Sequence, residues 1–147
     1  MLEFIAARGS ASFLQTPAWA RVKSEWRGER VGFYDGDELT GVGLILYRKL
    51  PKLPRYLAYL PEGPVLDWSR DDIAEHFDAL VTHVKKRQAF AVRIGPAVVH
   101  RIWGTKTIKT AIADDNITSL TEVEPDVVTP EGEHVVSVLK QGGWITD

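Results

Sequence analysis

The chain has 147 residues, 44% hydrophobic and 26% charged, with 18 Lys+Arg against 20 Asp+Glu and no cysteine. That length suits one domain, or one domain plus a fragment of a second, able to bury about 68–70% of its unfolded surface, and the apolar content excludes a disordered chain. The missing cysteines exclude a disulfide framework, a thiol nucleophile and thiolate metal sites.

Thr16-Pro17 reads as a helix start, Thr as N-cap and Pro at the first helical position, with a helix from Ala18 to about Trp26 that stops at Gly28. Arg30 to Tyr34 reads as a strand leading into the Asp35-Gly36-Asp37 turn, and Glu38 to Lys49 as its hairpin partner. Gly41 and Gly43 within that partner suggest a bulge or a close approach of other backbone. The Pro51–Pro54 loop leads to a third strand, Arg55 to Leu60, which ends at the breaker Pro61-Glu62-Gly63-Pro64. Ser69 and Asp72 resemble a capping box. The helix they would open carries Ile73, Phe77, Leu80, Val81 and Val84 as its apolar stripe, with Lys85-Lys86-Arg87 at its C-terminal end. Ala89 to Ile94 then reads as a strand closed by Gly95-Pro96. A strand–helix–strand piece after antiparallel strands predicts a mixed α/β sheet. Beyond residue 96 the pattern predicts a short helix at Lys106 to Ala113, an acidic loop over 114–129, and a last helix from Thr129-Pro130 to Gln141, stopped by Gly142-Gly143.

Charge divides along the chain. Residues 1–110 carry seventeen basic and twelve acidic side chains, and residues 111–147 carry one basic, Lys140, and eight acidic. A basic body can face a phosphate-bearing ligand or an anionic membrane, or it can be a solvated surface balanced by its own acidic region. The longest apolar stretch, Val42 to Tyr47, is far short of the roughly 20 residues that span a bilayer. Met1 to Ile5 has no basic region followed by a long apolar one, so no signal peptide is read and the cytoplasm is the expected compartment.

His76 and His83 stand seven residues apart on one helix, about 10.5 Å along its axis at ~1.5 Å per residue, too far to share one ion. No metal site is expected. The sequence holds no H-E-x-x-H, G-x-S-x-G or G-x-x-x-x-G-K-[ST], and no Gly-rich pyrophosphate loop of the acetyl-CoA type, so no cofactor is assigned.

Three segments in order resemble the Fem family of peptidoglycan aminoacyltransferases. Phe13-Leu14-Gln15-Thr16-Pro17-Ala18-Trp19-Ala20-Arg21-Val22-Lys23 is similar to the family's F-x-Q-(S/T)-x-x-W-x-x-x-K helix. The segment from Gly41 to Pro51 is similar to its G-x-x-L…R-x-L-P strand, and Tyr59 to Trp68 to its Y-x-P-(R/K)-G-P-V-x-D turn. Val92-Arg93-Ile94-Gly95-Pro96 is similar to a family strand that ends in a Pro turn.

The resemblance implies a GNAT-like α/β (α+β) fold, a mixed and largely antiparallel sheet flanked by helices. It covers the first of two such domains, so residues 1–147 are expected to form an incomplete enzyme whose second domain lies outside them. The implied activity takes an amino acid from aminoacyl-tRNA and attaches it to the stem peptide of a peptidoglycan precursor, building the cell-wall cross-bridge of Gram-positive bacteria. The implied partner is a lipid-linked or nucleotide-linked muropeptide, placing the protein in the cytoplasm or at the inner face of the membrane. Aminoacyl-tRNA is not expected to bind this part, and DNA is not an expected partner. The alternative is a non-catalytic GNAT-like module that binds a muropeptide or a protein partner. An uncovered sheet edge in such a domain predicts homodimerisation.

The candidate substrate-binding residues are Lys23, Tyr59, Gly63, Asp67 and Arg93, and no catalytic residue is assigned. Lys23 closes the helix motif that the resemblance associates with the precursor's phosphates, and a Lys ammonium suits phosphate as a point charge; otherwise it is an ordinary exposed lysine. Trp19, one turn earlier, reads as packing. Tyr59 and Asp67 flank the P-E-G-P turn and are placed to hold sugar or peptide groups, unless Asp67 and Ser69 only prepare the next helix. Gly63 is expected to supply a backbone conformation that other residues resist. Arg93 can meet an anionic ligand or pair with a carboxylate on the sheet. Glu62 stands where many family members have Arg or Lys, which removes a possible phosphate contact.

Overall fold

A computed structural model describes residues 1–8 and 11–146. The chain forms two compact units, Met1–Ala97 and Val98–Asp147.

The first unit is a mixed sheet flanked by helices. A short helix α1 (Leu2–Ala6) and a 3-10 turn (Phe13–Gln15) precede α2 (Pro17–Val22). The strands are β1 (Arg27–Asp35), β2 (Glu38–Lys49), β3 (Tyr56–Leu60) and β4 (Val65–Leu66), followed by α3 (Ile73–Lys86) and β5 (Ala89–Ile94). The sheet runs β1-β2-β3-β5, with β4 also paired to β2. All pairings are antiparallel except β3 with β5, which the α3 crossover makes parallel. β2 is central and covered on both sides: Leu44 and Leu46 point one way, Ile45 and Tyr47 the other, and all four are at most 1% exposed. That double burial explains the unbroken apolar run in its sequence.

Several elements differ from their sequence expectation. The helix after Pro17 ends at Val22, not Trp26, because Lys23 already leaves helical geometry at φ −91, ψ 49. Gly28 therefore lies inside β1 instead of stopping a helix, and a Cβ there would come within 3.0 Å of Ala20 Cβ, so the glycine lets α2 lie close to the strand. Thr16 occupies the N-cap position but makes no capping bond; its hydroxyl donates 2.6 Å back to Phe13 O. The Ser69–Asp72 capping box does not form. Asp72 is the N-cap of α3, yet Arg70 takes its carboxylate at 2.7 and 2.5 Å, while the Ser69 hydroxyl donates 2.6 Å to Asp67. The glycines of β2 act as expected: the register shifts opposite Phe33 and Tyr34, and a Cβ at Gly41 would overlap the Leu66 side chain of β4.

The second unit pairs β6 (Arg101–Ile102) with β7 (Val127–Val128) and carries α4 (Thr105–Ile112) and α5 (Pro130–Gln141). A 3-10 turn, Leu120–Glu122, and β7 interrupt the stretch read as loop. The Asp126 carboxylate accepts 2.5 Å from Gly104 N and 2.7 Å from Thr107 Oγ1, holding the start of α4. Thr129 caps α5 as the sequence predicts, accepting from Gly132 N at 3.1 Å.

Candidate functional site

The sheet of the first unit has two faces, and the candidate residues are divided between one face and the turn at its rim. On the face approached by α2, Tyr59 of β3 stands in register with Leu46 on one side and Arg93 on the other. Register partners share a face, so Tyr59 and Arg93 are side by side. Arg48, in register with Leu57, points to the same side. The turn after α2 supplies Trp26: its backbone N–H donates 2.9 Å to Lys23 O, and its ring lies 6.3 Å from that of Tyr59. The Arg48 guanidinium sits 5.7 Å from the Trp26 ring, and Lys23 Nζ 5.4 Å from that of Trp19. Trp19 itself packs edge-on against Phe13, as a packing residue would. This face thus joins half-buried aromatic rings to three cations, a combination that can accept an anionic group beside a flat or apolar one.

Gly63 and Asp67 belong to the rim. The turn between β3 and β4 lies at the C-terminal ends of the parallel pair, where Gly95 N donates 3.2 Å to Gly63 O. Gly63 does not have the left-handed backbone expected of it. Positive φ falls instead on Glu62, at 46°, while among the described glycines it occurs at Gly36 and Gly143. The constraint at Gly63 is steric, since a Cβ would overlap the Gln15 amide. Gln15 is fully buried; its Nε2 donates 2.6 Å to Pro61 O and its Oε1 accepts 2.8 Å from Leu44 N, so one side chain ties the turn to the central strand. Asp67 is exposed and accepts from Ser69 N at 3.1 Å and Ser69 Oγ at 2.6 Å; the hydroxyl bond, more than the backbone one, holds its carboxyl below the usual range. A cavity of about 160 Å³ adjoins the turn, lined among others by Arg8, Ser12, Glu62 and Trp68.

The other face carries α3 and a closed polar network. The Glu29 carboxylate accepts from Tyr47 Oη at 2.7 Å and from Arg87 at 2.8 and 3.1 Å, with His83 Nε2 at 3.2 Å. Burial acts to raise its pKa, but the bonds from Arg87, Tyr47 and His83 together win and hold it down to about 2. Tyr47 is 1% exposed, and burial followed by its bond to Glu29 pushes its phenol up. Arg27 lies 4.5 Å from the Tyr47 ring.

Sequence reasoning named Lys23, Tyr59 and Arg93 but not Trp26 or Arg48. Read as the last residue of a helix, Trp26 fell on a stripe with Ala18 and Val22; α2 ends at Val22, and Trp26 lies against Tyr59 instead. Gln15 stood in the quoted motif without a role.

These features define a class first: a mixed α/β unit with a cationic, aromatic face beside the end of a parallel strand pair. The model of the FemAB family matches residues 2–123, and the chain belongs to that family. Over 98 residues it is 34% identical to the lipid II:glycine glycyltransferase of Staphylococcus saprophyticus, aligning 65% of this chain with 24% of that protein. The corresponding figures for the lipid II:glycine glycyltransferase of Staphylococcus haemolyticus are 35%, 65% and 23%. The crystal structure of FemX superposes with a TM-score of 0.60 at 25% identity, covering 95% of this chain and 28% of that one. The chain thus spans about a quarter of the length of the curated relatives it matches. Among the described residues no helix is long and apolar enough to cross a membrane.

Proposed function

We propose that this chain is the acceptor-side part of an aminoacyltransferase that extends the stem peptide of a peptidoglycan precursor, at the cytoplasmic face of the membrane. The observation that carries the reading is the side-by-side placement of Tyr59 and Arg93, with Trp26 and Arg48 on the same face. Transfer of an aminoacyl ester to an amine requires that the amine lose a proton, that the oxyanion be stabilised, and that both substrates be held together. The residues of this face serve the last need. Lys23 and the two arginines meet the phosphates of a lipid-linked or nucleotide-linked precursor, and the rings of Trp26 and Tyr59 bear on its sugar or peptide. The donor, aminoacyl-tRNA, is assigned to a second domain of the Fem type. The names of the relatives support a lipid-linked acceptor and glycine as the transferred residue.

Titration with a nucleotide-linked muropeptide tests this directly. Lys23→Ala is expected to weaken binding by about tenfold, the loss of one charge-assisted contact. Unchanged affinity removes Lys23 from the site. The same reading includes a homodimer through the edge at β5, which among the described strands is bonded to β3 alone and where Phe90 is 55% exposed. Light scattering that shows only monomer at high concentration overturns that part.

A further inference from the structure

The opposite edge of the sheet carries a feature that acceptor binding does not use. β1 is bonded to β2 alone among the described strands, so half of its main-chain N–H and C=O groups face outward. Alongside it, between β1 and α3, lies a cavity of about 240 Å³, many times the ~30 Å³ share of a water molecule. Its walls include Val31, Phe33, Tyr34, Ala79 and Leu80, with Glu75 among its polar lining. The imidazoles that reach it are already engaged. His76 is bonded to Thr40 Oγ1 at 2.8 Å and Asp72 O at 3.0 Å, and His83 Nε2 to Glu29 at 3.2 Å. The cavity therefore suits an apolar side chain better than a metal or an anion.

The charge around this groove is opposite in sign to that of the α2 face. Glu75 and Asp78 are exposed on α3, and Asp35, Asp37 and Glu38 are exposed at the β1–β2 hairpin. The nearby Arg70 is shared between Asp72 at 2.5 Å and Asp35 at 3.6 Å, so Glu75, Asp78, Asp37 and Glu38 carry the negative border. An open strand edge, a side-chain pocket between that strand and a helix, and an acidic border are together the elements of strand addition. In that mode main-chain bonds give affinity and the pocket gives selectivity. We propose that this groove docks an extended peptide as a strand added to β1, with an apolar side chain in the cavity and a basic residue beside Glu75. The site is separate from the acceptor face and stands or falls independently of it.

Fluorescence anisotropy with three labelled eight-residue peptides tests the assignment: alternating leucine and threonine with lysine at each end, the same with glutamate for lysine, and the lysine form N-methylated at alternate amides. The lysine peptide is expected to bind, and the other two at least about tenfold more weakly. Amide exchange should slow along Arg30 to Tyr34 in the complex. Ala79→Trp, which fills the cavity from an exposed helix position, should cost about tenfold or more, as loss of a buried anchor does. Glu75→Lys, which reverses the charge of the polar lining and leaves the apolar walls in place, should invert the preference between lysine and glutamate peptides and decides the matter if Ala79→Trp melts early. Equal binding of all three peptides, no binding of any, or full binding by both variants overturns the proposal. So does protection of β1 that grows with protein concentration without peptide, which would make a second copy of the chain the occupant.

Discussion

The two faces of the sheet in the first unit are made by alternate residues of the same strands, yet they use charge in opposite ways. On the α3 face, charge is turned inward and closed: Glu29 is met by Tyr47, His83 and Arg87. On the α2 face, Lys23 and Arg48 lie against indole rings, with Tyr59 and Arg93 alongside. The closed network fastens a helix to a strand. The aromatic arrangement leaves guanidinium and ammonium groups on rings that tolerate exchange for a ligand, since a cation–π contact is worth only about 0.5–1 kcal/mol at exposed sites. The difference teaches where stability and where binding should be sought.

The largest effect should come from the residue beneath the α2 face. Gln15→Ala leaves Leu44 N and Pro61 O without their buried partner. Each unsatisfied group costs about 1–3 kcal/mol, so the variant is expected to lose about 2–6 kcal/mol in urea unfolding. A loss below 1 kcal/mol would mean that water replaces the amide and that the turn is not fastened to β2 as described.

Glu29 tests the α3 face. Its carboxyl is held at about 2 against an ordinary 4.5, so the folded state takes up that proton later than the unfolded one. The stability this contributes is complete above about pH 4.5 and is withdrawn as pH falls toward 2. Glu29→Gln keeps the shape and removes the charge. It should cost about 2 kcal/mol at neutral pH and flatten the acid limb of the stability curve. An unaltered acid limb would show that the network carries no net free energy.

How much of this was legible in the sequence follows from how each residue is held. β1, β3, β5 and α3 announced themselves through local pattern, and β2 through its doubly buried run from Val42 to Tyr47, but the two-residue β4 was not read. The end of α2 did not, because Lys23 leaves helical geometry five residues before the Gly28 that was read as the stop. The capping box failed for a local reason: Arg70, two residues away, takes the Asp72 carboxylate that a backbone N–H would have used. Of the candidate site, Lys23, Tyr59 and Arg93 were readable through motif resemblance. The register that sets Tyr59 beside Arg93 depends on the parallel pairing of β3 with β5, which no local pattern encodes. In the second unit α4 and α5 were legible to within a residue, but the two-residue strands β6 and β7 were not: the buried apolar residues among those described there are Ala111 and Val135, too few to impose a strand period.

Gly63 sharpens the same comparison at smaller scale. With φ outside the left-handed region, alanine is not excluded by backbone conformation there, but its methyl overlaps the Gln15 amide. Gly63→Ala should therefore cost about 1–2 kcal/mol, the penalty of overpacking a tight site. In a Gln15→Ala background, where the obstacle is gone, that cost should nearly vanish. A cost that persists in the double variant would return the explanation to the backbone.

The smallest expected effect on stability belongs to Lys23, and its smallness is what gives it value. Lys23 Nζ lies 5.4 Å from the Trp19 ring. Removing that contact should cost no more than about 0.5–1 kcal/mol, close to the range of ordinary surface changes. If Lys23→Ala leaves the unfolding curve in place while weakening the muropeptide about tenfold, the α2 face binds through groups it does not need for folding. Should Lys23→Ala instead destabilise the fold by 2 kcal/mol or more and spare affinity, Lys23 would be a structural residue like Glu29, and the contrast between the two faces would be lost.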